Sequence, residues 1–229
     1  MERVDKEKVF ILHRRPYRNT SFILELFSER HGRVAVVAKS ARGPKSRYRS
    51  QLELFTPLLV SWSGRGELKH LGYVELQPLS VSLAGKALLC AFYLNELLLK
   101  LLQPHDAHSD LFHYYQQTLL HLSASQETIE PGLRLFEKHL LDELGYGLNL
   151  REDAEGRSIE PTAFYRYFSG RDFVRVEEAQ EHDYPGKILL ALGQGVFIED
   201  SLKIIKRLMR QALHEHLGHQ PLMSRELLK

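Results

Sequence analysis

Short apolar segments separated by turn residues fill the first part of the chain. Each is too short for a typical helix, and the glycines and charged residues between them are typical of turns between strands. The pattern predicts five strands, over residues 8–13, 22–27, 33–38, 51–62 and 68–76. Five strands joined by one long basic loop match a small closed barrel of the five-stranded OB type.

Longer apolar segments with helical periodicity follow Pro78. Residues 83–102 are apolar nearly all round, which indicates a core helix. Further helices are predicted after an N-cap at Ser109, from Glu130-Pro131 onward, and over residues 188–192 and 200–217. Residues 165–168 and 173–176 flank a short turn and predict a hairpin.

The expected fold class is therefore α+β, in two domains. An N-terminal five-stranded OB-fold barrel should occupy residues 1–80. A mainly α-helical domain with a small β-hairpin insert should occupy residues 81–229.

Charge is distributed unevenly along the chain, although the net charge is only +2. Residues 1–80 contain 15 lysines and arginines against 8 acidic residues, whereas residues 81–229 contain 16 against 21. This asymmetry favours a polyanionic partner for the first domain, and a basic but merely solvated surface is the alternative. The excess is concentrated between Glu29 and Glu53, where seven cations occur and no acidic residue does.

The basic segments also contain aromatic residues. Proteins hold single-stranded nucleic acid with cations that follow the phosphates and with rings that stack on bases. Tyr17 lies in RRPYR and Tyr48 in RYR, and a half-buried position at the barrel edge is the alternative for each ring. The predicted nucleic-acid contacts are Arg14, Arg15, Tyr17, Arg33, Lys39, Arg42, Lys45, Arg47, Tyr48 and Arg49. The basic side of helix 200–217 is a further candidate for DNA or an acidic peptide, although the exposed side of a packed helix is the favoured interpretation.

No catalytic, cofactor or metal site is predicted. The 12 histidines form no HExxH motif, SARGPKSR lacks the Gly-Lys pair of a phosphate loop, and no GxSxG motif occurs. A metal-dependent phosphodiesterase would need a carboxylate cluster, which the sequence does not contain. The single cysteine, Cys90, excludes an internal disulfide, and no apolar run approaches the roughly 20 residues that span a bilayer. A cytoplasmic location is expected.

Five segments, in order, resemble the RecO family of bacterial recombination mediators. They read RRPYRNTSFILELFSERHGRVAVVAKSARGPKSR, LELFTPLLVSWSGRGELKHL, YLNELLLKLL, EPGLRLFEKHLLDELGYGLNL and PLMSRELL. The resemblance implies an OB-fold followed by a helical domain, binding to single- and double-stranded DNA, and annealing of complementary strands. It also implies a nucleoid-associated protein that works with RecR to load RecA onto DNA covered by single-strand-binding protein. An RNA-binding or ribosome-associated OB-fold protein is the alternative.

The resemblance assigns roles to individual residues as well. Lys39, Arg42, Lys45 and Arg47 match the basic loop of the family, its presumed DNA contact. Arg134 matches a position implicated in holding the acidic, Phe-ending tail of single-strand-binding protein. Residues Leu133, Phe136 and Leu140 would form an apolar slot for that ring. An ion pair within its own helix is the alternative for Arg134.

One feature departs from the family pattern. Many members carry a four-cysteine zinc site after the GYG motif, but this chain has no cysteine after Cys90. Zinc is therefore expected to be absent from residues 148–185. The hairpin of residues 165–176 is expected to be held by packing alone.

Overall fold

The computed structural model describes residues 2–43, 46, 48, 50–78, 81–125, 129–218 and 222–224. The chain divides into two compact units, Met1–Gln126 with Leu222–Lys229, and Glu127–Pro221. Among the described residues, the first unit contains a closed five-stranded barrel and two named helices, and the second contains three helices and a small sheet. The expected α+β class with an N-terminal OB-type barrel is confirmed.

The barrel is built from five strands: β1 (Glu2–Tyr17), β2 (Ser21–Ser28), β3 (Gly32–Ala38), β4 (Leu58–Gly64) and β5 (Lys69–Leu76). The strand order is β1-β2-β3-β5-β4, and β4 pairs back with β1 to close it. Only the β3–β5 pair is parallel. The β3–β5 seam is short, with Val36 paired to Lys69 and Val37 to His70.

Strand β1 is much longer than the predicted segment of residues 8–13. The pairing register shifts between Val4 and Glu7 and again between Ile11 and His13. Irregularities of this kind bend a strand, so the first part of β1 pairs with β4 while its second part pairs with β2. The apolar pattern misses both ends of β1 because their residues are mostly polar.

Strand β4 begins later than predicted, at Leu58 instead of residue 51. Pro57 directly precedes it, and proline has no amide hydrogen to donate to the sheet. Pro57 therefore contributes only its carbonyl, which accepts from the Gln77 amide at 3.0 Å, and the strand begins at the next residue.

Two helices cover an apolar outer face of the barrel in the first unit: α1 (Gly85–Leu101) and α2 (Ser109–Ala124). Phe10 of β1 lies 5.4 Å from Phe112 and 5.0 Å from Tyr115, ring centroid to ring centroid. Buried Asn95 donates to the Leu12 carbonyl at 2.8 Å and accepts from the Tyr115 hydroxyl at 2.6 Å. Aromatic packing and the hydrogen bonds that link Tyr115, Asn95 and Leu12 thus hold α1 and α2 to β1.

The predicted N-cap of α2 is wrong by one residue. His108 occupies the N-cap position, and Ser109 is the first helical residue. The Ser109 hydroxyl donates to the Glu29 carbonyl at 2.8 Å, so it joins the helix to the barrel instead of capping the helix.

The second unit comprises α3 (Ile129–Glu143), β6 (Phe164–Phe168), β7 (Asp172–Val176), β8 (Tyr184–Pro185), α4 (Gly186–Gly193) and α5 (Ser201–Leu217). The predicted hairpin is β6–β7, and the two-residue strand β8 adds to its free side to give the order β7-β6-β8. Helix α3 packs against α5. No described helix of either unit is long and apolar enough to cross a membrane.

The expectation that packing alone holds the hairpin is wrong. Buried Phe173 and Tyr184 do pack beneath it, with ring centroids 6.3 Å apart. In addition, Arg166 of β6 donates from Nε and Nη2 to the two carboxylate oxygens of Asp183, at 2.7 and 3.0 Å. The preceding loop has its own anchor, because buried Asp153 accepts from the amide and Nε of Arg157, both at 3.0 Å. Among the described residues, no cluster of three metal-ligating side chains occurs.

The buried Asn95 link can be tested by substitution. Asn95→Ala removes the hydrogen bonds that Asn95 makes with the Leu12 carbonyl and the Tyr115 hydroxyl inside the protein, so we expect it to lower the free energy of unfolding by about 2–4 kcal/mol. Tyr115→Phe removes one hydrogen bond and should cost about 1 kcal/mol. Urea unfolding followed by fluorescence of Trp62, the single tryptophan, reports on the first unit. The link is refuted if Asn95→Ala is no more destabilising than Asn19→Ala, a substitution in an exposed turn.

The Arg166–Asp183 pair predicts a pH dependence for the second unit. Hydrogen bonds from Arg166 lower the pKa of Asp183 below the ordinary value, despite its burial. The pair therefore stabilises the fold above the ordinary aspartate pKa, and its contribution disappears as pH falls through the lowered pKa. We expect Asp183→Asn to lower the melting temperature at pH 7 and to reduce the further loss on acidification, measured by tyrosine circular dichroism. Equal acid sensitivity in Asp183→Asn and in the surface control Glu178→Gln would contradict this assignment.

Candidate nucleic-acid interface

Two basic segments that are distant in sequence meet at one end of the barrel. Tyr17 pairs with Ser21 across the β1–β2 turn, and Phe22 pairs with Ala38 at the end of β3. The β1–β2 turn therefore lies beside the loop that leaves β3. The Arg42 amide, in that loop, donates to the Thr20 carbonyl at 2.8 Å and fixes the two segments together.

Four exposed cations line this end: Arg15, Arg18, Lys39 and Arg42. Within the described parts of the chain, none of them forms an ion pair with a carboxylate. The Arg42 guanidinium does reach the Arg18 carbonyl, at 3.4 Å, but a carbonyl leaves its charge uncompensated. These side chains therefore present positive charge to solvent, where phosphates could reach it.

A cleft of about 420 Å³ opens at Arg42, and we call it the cationic cleft. Its described lining residues are Arg14, Phe22, Ala41, Arg42, Gly43, Ser46, Tyr48, Ser50, Leu52 and Glu53. Two guanidinium groups lie near the half-buried Phe22 ring, whose centroid is 5.0 Å from the Arg14 Cζ and 6.0 Å from the Arg42 Cζ. An aromatic ring with guanidinium groups close by can combine base stacking with phosphate attraction.

The sequence did not identify Phe22 as a site residue. It is the second residue of β2, whose next inward-facing residues, Leu24 and Leu26, belong to the barrel core, so the apolar pattern assigns it to the core as well. Because Phe22 is the first of these inward positions, it lies at the end of the barrel. This position near the start of the strand was the one feature of the sequence that could have indicated an accessible ring.

Arg14 is held in place on the wall of the cationic cleft. Its Nη1 donates to the Leu52 carbonyl at 2.6 Å and lies 3.0 Å from Glu53 Oε1. Glu53 is the one acidic side chain among the described residues of this wall, and it is itself mostly exposed. Arg14 is thus partly neutralised, but its guanidinium is fixed against Phe22.

Arg33 points away from the basic end and makes internal contacts. Its Nη1 donates to the Leu99 carbonyl in the last turn of α1, where a cation is favoured by the helix dipole. Its Nε lies 3.9 Å from Glu25 Oε2. The geometry supports a role for Arg33 in packing α1 onto the barrel, and we leave it out of the candidate interface.

The two predicted stacking rings are in different environments. Tyr48 is 5% exposed, packs in the barrel core, and donates its hydroxyl to the Gly72 carbonyl at 3.1 Å. Its ring is therefore closed to a base. Tyr17 is half-buried, and the Arg18 guanidinium lies 5.2 Å from its ring centroid. Lys45, Arg47 and Arg49 lie outside the described residues.

The second unit encloses the residues that were predicted to bind a partner. Leu133, Phe136 and Leu140 are buried core residues. Arg134 is 5% exposed, and its Nη2 lies 2.9 Å from Glu137 Oε1, three residues further along α3. This geometry agrees with the alternative of an ion pair within the helix.

The basic side of α5 is partly used in packing. Arg207 donates to the carbonyls of Glu181 and Asp183 at 3.0 and 3.2 Å, and it lies over the Tyr184 ring. Lys206 Nζ lies 3.3 Å from Glu130 Oε1. Arg207 and Lys206 of α5 therefore already have partners within the second unit.

Comparisons with known proteins agree with the architecture. The family model described as Recombination protein O N terminal matches residues 1–78, and that described as Recombination protein O C terminal matches residues 83–226. The curated "DNA repair protein RecO" of Coxiella burnetii (strain RSA 493 / Nine Mile phase I) is 54% identical, over 99% of each chain. The proteins of the same name from Methylococcus capsulatus and Actinobacillus pleuropneumoniae serotype 5b are 45% and 40% identical. They cover 99% and 96% of this chain, and the matches cover 94% and 92% of theirs. With matches at this level along nearly its whole length, the chain belongs to the RecO family.

Proposed function

We propose that this protein binds single-stranded DNA at the basic end of its barrel and anneals complementary strands. The observation that carries the proposal is the Phe22 ring near the guanidinium groups of Arg14 and Arg42, at the same end of the barrel as the exposed Arg15 and Lys39. Membership of the RecO family supports a role in DNA repair and recombination.

An aromatic ring in a cleft favours the binding of single-stranded DNA over duplex DNA. In a duplex the bases are already stacked on one another, whereas an unpaired base can leave its neighbours and stack on a protein ring. The surrounding cations act on both forms because both carry phosphates. Stacking on Phe22 would therefore add affinity for single strands alone.

Annealing by this surface requires no bond chemistry. Two complementary strands repel each other through their phosphates, and a cationic surface that neutralises part of this charge lowers the barrier to their approach. Contacts to phosphates carry no sequence information and leave the base edges free to pair. Four uncompensated cations at one end of the barrel are suited to this role.

The proposed partners follow from the family resemblance. We propose that the protein works with RecR to load RecA onto DNA covered by single-strand-binding protein. The acidic tail of the latter would bind at Arg134, and for that the Arg134–Glu137 ion pair would have to open.

Removal of charge at the basic end tests the proposed DNA contact. We expect Arg15→Gln, Lys39→Gln and Arg42→Gln, combined, to weaken single-stranded DNA binding. The plot of log affinity against log salt should become shallower by about 2, because each lost phosphate contact contributes about 0.7. The annealing rate of complementary oligonucleotides should fall in parallel.

A matched control removes the same charge elsewhere. Lys203→Gln, Lys206→Gln and Arg210→Gln neutralise three exposed cations of α5. We expect this variant to retain the salt dependence of the wild type. The proposal fails if the α5 variant loses as much affinity as the barrel variant, or if RNA of the same sequence outcompetes the DNA.

Substitution of Phe22 tests stacking separately from charge. Phe22→Ala should weaken binding to single-stranded DNA by about 1–3 kcal/mol and leave duplex binding nearly unchanged, whereas Phe22→Tyr should retain both. Tyr73→Ala, which removes an exposed ring from β5, serves as the control. Trp62 fluorescence during urea unfolding verifies that each variant is folded. Stacking at Phe22 is excluded if the Phe22→Ala and Tyr73→Ala variants lose the same affinity.

A further inference from the structure

Residues 222–224 belong to the first unit, although the whole of the second unit precedes them in sequence. Leu222 and Ser224 are buried, whereas Met223 between them is mostly exposed. Burial of two of the three side chains shows that the segment is packed against the protein. We infer that these residues form a strap, which docks on α1 through Glu96 and completes the first unit, so that this unit is fully stable only when the strap is bound.

The side chain of Glu96 holds the strap with three hydrogen bonds. Its Oε1 accepts from the Met223 amide at 3.0 Å. Its Oε2 accepts from the amide and the hydroxyl of Ser224, at 2.9 and 2.6 Å. Met223 and Ser224 begin a helical turn, where amides have no acceptor within the helix, so the carboxylate of Glu96 supplies one. A single side chain of α1 thus binds three donors of the strap.

Glu96 is charged when it binds the strap. Partial burial raises its pKa, but the hydrogen bonds from Ser224 and Met223 and the nearby charge of Lys100 outweigh this effect and hold the pKa below the ordinary value. The Lys100 Nζ lies 3.5 Å from Glu96 Oε1, one helical turn further along α1. Hydrogen bonds to a charged acceptor are shorter and stronger than those between neutral groups. The strap is therefore held by charge-assisted hydrogen bonds, in addition to the burial of Leu222.

Helix α1 connects the strap to the barrel. Asn95, the neighbour of Glu96, donates to the Leu12 carbonyl of β1. The Leu99 carbonyl, one turn further along α1, accepts from Arg33 of β3. The strap and the barrel thus bind neighbouring residues of the same helix, so release of the strap removes one of the contacts that hold α1 in place.

The place of the strap in the chain makes it a conformational device. Met223 lies 127 residues beyond Glu96, so their contact closes a long loop at an entropic cost. Local opening is easier for such a short segment than for the strands of a closed barrel. The strap is also synthesised after the second unit, so the first unit is completed only once the second has been made.

Exchange of two amide hydrogens, followed by NMR, tests whether the strap is docked. In the full-length protein, the amides of Met223 and Ser224 should exchange at least about tenfold more slowly than in an unstructured peptide, because each donates to Glu96. Glu96→Ala should remove this protection. The inference is overturned if these amides exchange in the wild type as fast as in an unstructured peptide, or if they stay protected in Glu96→Ala.

Urea unfolding followed by Trp62 fluorescence tests whether the strap stabilises the first unit. Glu96→Ala should lower the ratio of folded to unfolded protein about tenfold or more, because three hydrogen bonds to a charged acceptor are lost, and Ser224→Ala should lower it about fivefold. In the Glu96→Ala background, Ser224→Ala should have little further effect, because its partner is already absent. Fully additive losses would contradict the inferred contact.

Two substitutions in the same unit are matched controls. Ser123→Ala also removes one serine hydroxyl, but its acceptor is the Leu120 carbonyl in the same helix. Glu67→Ala removes an exposed carboxylate. We expect each to change the folded-to-unfolded ratio by less than about threefold. The strap is refuted if either control is as destabilising as its counterpart, and if Glu96→Ala does not fold, the comparison of Ser224→Ala with Ser123→Ala decides alone.

Neither measurement uses DNA. Failure of both would leave the proposed role of the cationic cleft untouched, and failure of the DNA-binding tests would leave the strap untouched.

Discussion

The antiparallel register of β1, β2 and β3 is the constraint on which the rest of the first unit depends. Pairing of Tyr17 with Ser21 and of Phe22 with Ala38 brings the arginines of the β1–β2 turn beside the loop that leaves β3. A shift of one residue would turn every side chain of a strand to the other face and would remove Phe22 from the cleft. The apolar core therefore specifies the register, and the register specifies the cationic surface.

The charged side chains near the two ends of β2 are in different environments. At the end that contains Phe22, the exposed cations have no carboxylate partners among the described residues, and Arg14 alone is tied to an acidic side chain. At the other end, the fully buried Glu7 holds Arg30 in a fixed orientation. Removing the Arg30 side chain would leave a buried charge unpaired, which is costly in a protein interior. The exposed cations of the first end therefore remain accessible from solvent, whereas Arg30 at the other end is held by its internal partner.

Much of the fold could be predicted from the sequence, because alternating apolar residues and turn residues define strands locally. The same reasoning selected the basic segments, and Arg15, Lys39 and Arg42 are exposed at one end of the barrel. It could not separate exposed residues from buried ones within those segments. Arg33 contacts α1, and Tyr48 packs in the barrel core. Both environments are formed by residues far along the chain, so the local sequence does not reveal them.

The central claim is that bases stack on the barrel end at Phe22. An NMR titration of the full-length protein, with ¹³C-labelled phenylalanine rings and single-stranded DNA, tests it most directly. A Phe22→Leu variant assigns the signal of that ring. The account predicts that the Phe22 signals move upfield and saturate together with DNA binding. An unchanged Phe22 signal at saturation, with shifts confined to rings of the second unit such as Phe164 and Phe168, would contradict it.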